Sequence, residues 1–296
     1  MTAALRRRAL LGGLGAALPL AAAGARNLSD TVNAVGNSLD ELRAKGSLRI
    51  AFYTDFFPFS YEAPDGGGWR GIDIDLIQHV AGRLGLRVDP FPLQAGETVD
   101  DDLRNAVWRG RAVDHQWANL MVHVPYDRGL MLRNELVVLL GPYHVEGLVL
   151  AVNPERVEGD PGLGMLAGRK VAVELDALAD LYLSTAQGGR LRDGLLRRLD
   201  PADAVAALKD GEADAVMASR SQVEANLGEA RGRFELLEIP LPNLPVPSWR
   251  VGFAVRENAR DLGYAVGDVV QEGLRDGTVA RIFAAHGVTH RPPASG

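Results

Sequence analysis

The sequence predicts an α/β protein of two lobes, each a mainly parallel sheet flanked by helices, joined by two hinge strands. Three observations predict this. Strand and helix patterns alternate over residues 46–147, the same alternation restarts at Gly168, and an apolar strand returns after a proline-rich stretch at 240–247. Alternating strands and helices require crossover connections, and crossovers make parallel sheets.

The elements follow in order. Asn27 to Lys45 is polar with Leu28, Val32, Val35, Leu39 and Leu42 at helical spacing, and Gly46 ends it. Leu48 to Tyr53 is an apolar strand. Ala63 to Gly68 reads Ala-Pro-Asp-Gly-Gly-Gly, a turn between two extended segments. Asp73 to Leu84 carries apolar residues at helical spacing behind an acidic first turn, which the helix dipole favours. Leu86 to Phe91 is the next strand, and Asp100 to Trp108 a helix with three acids at its start. Met121 to Val124, Leu136 to Leu140 and Leu148 to Val152 are further strands. Lys170 to Val173 (strand), Ala177 to Ser184 (helix), Pro201 to Lys209 (helix) and Asp214 to Ala218 (strand) build the second lobe. Trp249 to Val255 is the returning strand, and Ala259 to Phe283 is helical with a break at Gly277. Two chain crossings, at 147–152 and 246–255, make a hinge, and hinged lobes close on a ligand in the cleft between them.

Composition narrows the function. The chain has 296 residues, 47% hydrophobic and 24% charged, which is the balance of a folded globular protein. Its net charge is −6, and three of its positive charges sit at Arg6, Arg7 and Arg8. An acidic body has no general attraction for nucleic acid. There is no cysteine, which excludes disulfides, thiol nucleophiles and zinc–cysteine sites. The arginine triplet, a small apolar run and Ala23-Gly24-Ala25 before Arg26 together read as a cleavable export signal of residues 1–25. Both the Sec and the twin-arginine route fit it, and cleavage near Ala25 places the mature protein in a bacterial periplasm.

Several segments resemble the family-3 extracellular solute-binding proteins, the periplasmic receptors of amino acid ABC importers. They are Leu48-Arg49-Ile50 through Phe57-Pro58-Phe59-Ser60, then Gly71-Ile72-Asp73-Ile74-Asp75-Leu76, and Gly168-Arg169-Lys170-Val171-Ala172-Val173. The stretch from Ala207 to Val216, and Gly252-Phe253-Ala254-Val255-Arg256 with Leu274 to Thr278, complete the set. The resemblance implies a two-lobed periplasmic binding protein of type II. It implies a lead-in helix at 26–45, lobe 1 at 46–147 and 248–290, lobe 2 at 148–247, and a disordered tail at 291–296.

The family's binding residues carry over unevenly. Its carboxylate-clamping arginine matches Arg128, and the strand before it, usually rich in hydroxyls, offers Met121 and His123. The aromatic platform falls on Phe56, with Tyr53 beside it. The second-lobe helix start, usually Gly-Thr-Thr, reads Asp176-Ala177-Leu178, and the acid that receives an amino group is replaced by Ser219. One anchor of three for an α-amino acid is retained, so the expected ligand is a small solute other than a standard α-amino acid, with an acidic group held by Arg128. The segment from His123 to Arg128 is also similar to a divergent branch associated with periplasmic quinoprotein alcohol dehydrogenases, of the methanol type among others. That branch implies an accessory protein with a dehydrogenase partner instead of an ABC permease.

Other residues have plainer readings. Asp73 and Asp75 are first-turn helix acids, and the adjacent side chains of Asp100, Asp101 and Asp102 diverge around a helix. Asp176 reads as a helix cap near the ligand, and Trp117 as a cleft lid or loop anchor. No nucleophile elbow, phosphate loop, zincin or EF-hand spacing is present. Glu174 is one acid without an identifiable partner, so no enzyme is expected. No metal or cofactor is expected, and the protein is expected to be a monomer.

Overall fold

The computed structural model describes residues 38–294. The expected export signal, its expected cleavage point near Ala25, and the part of the expected lead-in helix before Ser38 lie outside the described residues, as do residues 295 and 296.

The first helix, α1 (Leu39–Lys45), starts at a reciprocal cap: Ser38 Oγ accepts the Glu41 N–H, and the Glu41 carboxylate accepts the Ser38 N–H. It leads into β1 (Ser47–Tyr53). Three short antiparallel strands follow, β2 (Asp55–Phe56), β3 (Ser60–Glu62) and β4 (Trp69–Arg70), with the expected turn between β3 and β4. Gly71 then opens α2 (Ile72–Arg83) at φ 126°, where a Cβ would stand 2.2 Å from the Phe59 carbonyl oxygen, so only glycine fits. After β5 (Arg87–Leu93), the helix expected over 100–108 divides into α3 (Val99–Leu103) and a π-helical turn at Arg104–Trp108. The wider turn keeps Leu103, Ala106 and Val107 all buried.

β6 (Leu120–Pro125) is followed by α4 (Arg128–Arg133), which the hydrophobic pattern did not reveal. The two strands expected at 136–140 and 148–152 are one 16-residue strand, β7 (Val137–Val152). Gly141-Pro142 looks like a terminator in sequence, but the ladder to the returning strand slips register there and continues. The second half contains β8 (Val171–Glu174), α5 (Leu178–Gly189, broken at 186–188), β9 (Leu195–Arg198) and α6 (Pro201–Lys209). Then come β10 (Ala215–Ser219), α7 (Arg220–Leu227) and β11 (Glu235–Leu237). The chain returns as β12 (Ser248–Arg256) and ends in α8 (Arg260–Arg275) and α9 (Thr278–Ala285), separated at Gly277 as expected.

The main sheet runs β5-β1-β6-β12-β7-β10-β8-β9, with β11 on β7. Within the first lobe β1 pairs in parallel with β5 and β6, and within the second β8 pairs in parallel with β10 and β9. The crossing strands β7 and β12 are antiparallel to their neighbours and to each other. Each lobe has apolar clusters of its own. In the first, Leu48, Ile50 and Phe52 pack against α2, α8 and α9 on one face, while Ala51, Phe91 and Met121 pack on the other. In the second, Val149 and Val216 face α6 and α7, and Leu150, Val173 and Met217 face α5. A side chain such as Ile50 or Leu150, with no surface left in water, contributes about 1.5–3 kcal/mol.

Candidate functional site in the inter-lobe cleft

Parallel strands end at the same side of a sheet, so the residues just past their carboxyl ends gather in one crevice. Here β1, β5 and β6 of the first lobe and β8 and β10 of the second all end on a cavity of about 710 Å³. Tyr53, Phe56, Gln94 and His123 line it from one lobe, and Glu174, Leu178, Met217 and Ser219 from the other. Glu146, Leu148 and Trp249 of the crossing strands form its back.

Four of the seven expected ligand-contact residues are on this wall. Tyr53 ends β1, and its hydroxyl donates to Asp102 Oδ2 at 2.8 Å. Burial, followed by the charge of Asp102, raises the phenol pKa far above its usual value, so Tyr53 stays neutral. Phe56 stands edge-on to Tyr53 at 6.0 Å and to His123 at 4.7 Å, and stacks on Phe59 at 5.2 Å. His123 is the extra residue of a β-bulge, because Gly252 pairs with Val124 and the next residue, Phe253, with Val122. Its φ of 61° is unusual for a strand residue, and bulges of this kind re-aim a side chain. The ring is held from behind: Nδ1 lies 3.1 Å from Asp73 Oδ2 and 3.3 Å from the Tyr143 hydroxyl, which donates to Asp73 Oδ1 at 2.7 Å. Ser219 ends β10, and its hydroxyl donates to Gln222 Oε1 at 2.5 Å.

Three expected residues are elsewhere. Met121 has no exposed surface and packs between Ala51 and Ala254 in the first-lobe core, because it lies before His123 on β6, paired with a strand on either side. Arg128 is exposed at the start of α4 and is not on the cleft wall. The physical reason is that β6 holds to β12 as far as Pro125, and Tyr126 still donates to the Arg250 carbonyl, so the chain has turned away before Arg128. Asp176 is exposed in the turn after β8 at φ 60°, and it caps nothing. Its own N–H donates to Asp180 Oδ2 at 3.1 Å instead. Trp117 is off the wall as well, under the guanidinium of Arg256.

No family model matches the chain. One curated protein, cyclohexadienyl dehydratase of Pseudomonas aeruginosa, is 36% identical over 64 residues, which is 22% of this chain and 24% of that protein. The match therefore spans about a quarter of that relative's length. Solved structures match almost end to end. An ancestral cationic amino acid solute binding protein superposes with a TM-score of 0.66 at 21% identity, over 84% of this chain and 99% of the other. An amino acid ABC transporter substrate-binding protein from Streptococcus pneumoniae, bound to L-arginine, gives 0.58 at 20% identity, over 86% and 99%. The chain has the two-lobed periplasmic binding protein fold. A histidine kinase sensor domain similar to periplasmic binding proteins also shares it, with a TM-score of 0.55 at 19% identity over 83% and 98%.

In this binding-protein fold the wall residues that sequence reasoning missed are the charged and aromatic ones. Glu146 is 2% exposed, and its Oε1 accepts N–H groups of Gly147 at 2.9 Å and Ser221 at 3.5 Å. Burial pushes its carboxyl pKa up. Glu174, named in the sequence only as a solitary acid, is half-buried at the end of β8. Its pKa is raised by burial and by the charges of Asp200 and Asp55. Asp55, Gln222 and Trp249 complete the polar and aromatic lining. The signal that could have found Glu146 was present: it is a single acid in the apolar run from Val145 to Val152. Among the described residues, no lysine or arginine lines the cleft, against three acids. The three consecutive aspartates are divided among separate tasks, since Asp100 holds Asn134, Asp101 pairs with Arg104, and Asp102 accepts from Tyr53 and the Gly96 N–H. Among the described residues, no group of three or more histidine or acidic side chains is placed to hold a metal ion, and no helix is long and apolar enough to cross a membrane.

Proposed function

We propose that this protein is exported to the periplasm, captures a small solute in the inter-lobe cleft and delivers it to an ABC permease of the inner membrane. The observation that supports it most directly is the cavity of about 710 Å³ at the strand ends of both lobes, a volume suited to a small molecule. Two crossing strands at its back would let the lobes close and present both faces to the permease. The ligand is not a standard α-amino acid, because among the described residues no arginine or lysine is on the wall to hold its carboxylate. The protein works as a monomer.

A thermal-shift screen against amino acids, polyamines, organic acids, alcohols and metal ions tests this. A ligand at a hundred times Kd adds roughly 2.7 kcal/mol, a shift of about 5 °C or more for a chain of this size. A shift with a non-amino-acid solute is expected. A shift with ordinary α-amino acids alone would remove the ligand assignment, and stabilisation by none of these classes would move the protein to a protein-binding role such as the dehydrogenase accessory.

One observation favours a second reading. The curated relative is named a dehydratase, and the raised pKa of Glu174 suits a general acid at the cleft. Recovery of the captured solute chemically unchanged after prolonged incubation decides for binding, and its loss of water decides for the enzyme.

A further inference from the structure

The three acids of the cleft come from three different places in the fold. Asp55 is on β2 of the first lobe, Glu174 ends β8 of the second, and Glu146 is on the crossing strand β7. Acidic residues near a cleft are ordinary, but Glu146 is not. Its side chain is almost wholly buried, its Oε1 is engaged by two backbone N–H groups, and its Oε2 accepts no hydrogen bond at all. A carboxylate oxygen withdrawn from water and left without a donor lowers stability, so each such group calls for an explanation. This one is on the wall of a cavity large enough for a solute.

We propose that the cleft takes an organic cation carrying no carboxylate, drawn by the charges of Asp55, Glu146 and Glu174, with a side-chain rotation of Glu146 exposing Oε2 to accept a hydrogen bond from its ammonium or guanidinium group. The inference rests on the solute-capture reading and names its ligand class. A zwitterion or a dicarboxylate would bring its own negative charge against Asp55, Glu146 and Glu174 with no lysine or arginine to receive it. An inorganic cation is disfavoured by the rest of the wall, where Phe56, Trp249, Leu148 and Met217 present rings and apolar chains. Aromatic faces attract organic cations through their quadrupoles, and Tyr53 presents its ring because its hydroxyl is committed to Asp102.

The same charges couple binding to closure. Asp55 and Glu174 approach from opposite lobes closely enough for the charge of Asp55 to act on Glu174. Without a cation they repel, which favours an open cleft. A cation seated between them is attracted to both lobes at once, so the closed form binds it better.

Calorimetry and thermal shift with agmatine, putrescine and spermidine test the proposal, with arginine as a cation that keeps its carboxylate, succinate as an anion and glycerol as a neutral solute. At least one of the three carboxylate-free cations is expected to bind, and agmatine to bind better than arginine. Glu146→Gln is expected to weaken that binding about tenfold to a hundredfold. Its amide oxygen can still accept from Gly147 and Ser221, so the fold is kept. Should that variant fail to fold, Glu174→Gln at the half-buried site serves in its place, with a smaller loss. Stabilisation by succinate or glycerol and by none of the cations would overturn the cation assignment while leaving solute capture standing. Unchanged cation affinity in both variants would overturn the role of these acids. No binding by any of the six probes, together with no hit in the wider solute screen, would overturn solute capture and this inference with it.

Discussion

Glu146 on β7 is directly opposite Trp249 on β12, so the two strands that cross between the lobes each place one side chain on the cleft wall at the same level. Directly opposed residues of an antiparallel pair share a sheet face and touch. The acid at the back of the cleft is therefore flanked by an indole. Trp249→Ala is expected to weaken binding of a cleft ligand about tenfold, and Trp249→Phe to restore most of it. Titration calorimetry on the two variants decides it, and equal affinity in wild type and the alanine variant would remove Trp249 from the site.

Tyr53 supports the first-lobe wall through Asp102, whose other oxygen accepts the Gly96 N–H at 2.7 Å. Asp102 is buried, so Tyr53→Phe takes a donor from a carboxylate that water reaches poorly. The expected cost is about 1–3 kcal/mol of folding stability, measured by urea unfolding. A cost near zero would mean that water replaces the phenol.

Arg128→Ala is expected to change neither ligand affinity nor, beyond about 0.5 kcal/mol, stability. The side chain is exposed at the start of α4, off the cleft wall. A large loss of affinity in this variant would restore the carboxylate clamp that the family resemblance implies and refute the placement of Arg128 outside the cleft.

His144 makes the fold sensitive to acid. Burial, followed by the charges of His290, His123 and Arg291, pushes its pKa down from 6.5 to about 3. The neutral ring is satisfied on both sides: Nδ1 accepts the Arg291 N–H at 3.2 Å, and Nε2 is 3.4 Å from Ser221 Oγ. Unfolded, His144 takes a proton near pH 6.5, and folded only near pH 3. Between those values the unfolded chain binds the extra proton, so stability falls as pH falls through this window. The loss from pH 7 to pH 4 is on the order of 3 kcal/mol from this residue. His144→Gln is expected to flatten the dependence of Tm on pH over that range, and an unaltered slope would place the acid sensitivity elsewhere.

Much of the scaffold was legible because hydrophobic periodicity is a local property. The apolar spacing of α2, the cap and proline that open α6, and the Gly277 break between α8 and α9 are all written in consecutive residues. Among the elements missing from the sequence reading, α7 has a buried face that is partly polar. α7 buries Ser221 and Glu224 beside Val223 and Leu227, and Glu224 is held by Arg220 and Arg231. β7 looks like two strands because Gly141-Pro142, His144 and Glu146 interrupt its apolar run, yet the ladder continues past Gly141-Pro142, His144 is satisfied by Arg291 and Ser221, and Glu146 Oε1 by Gly147 and Ser221.

The sequence by itself determined the α/β class, the two lobes with their double crossing, and the aromatic and histidine residues of the first-lobe wall. The first two follow from strand ends and helix starts, which short-range patterns mark, and the wall residues from the family resemblance. Only the tertiary structure decided the sign of the charge in the cleft. A bulge at His123 and the continued pairing of β6 with β12 carry Arg128 away from the cavity, while the pairing of β7 with β12 brings Glu146 into it. Register between strands far apart in the chain sets which residues meet, and a motif read along the chain carries no information about that register.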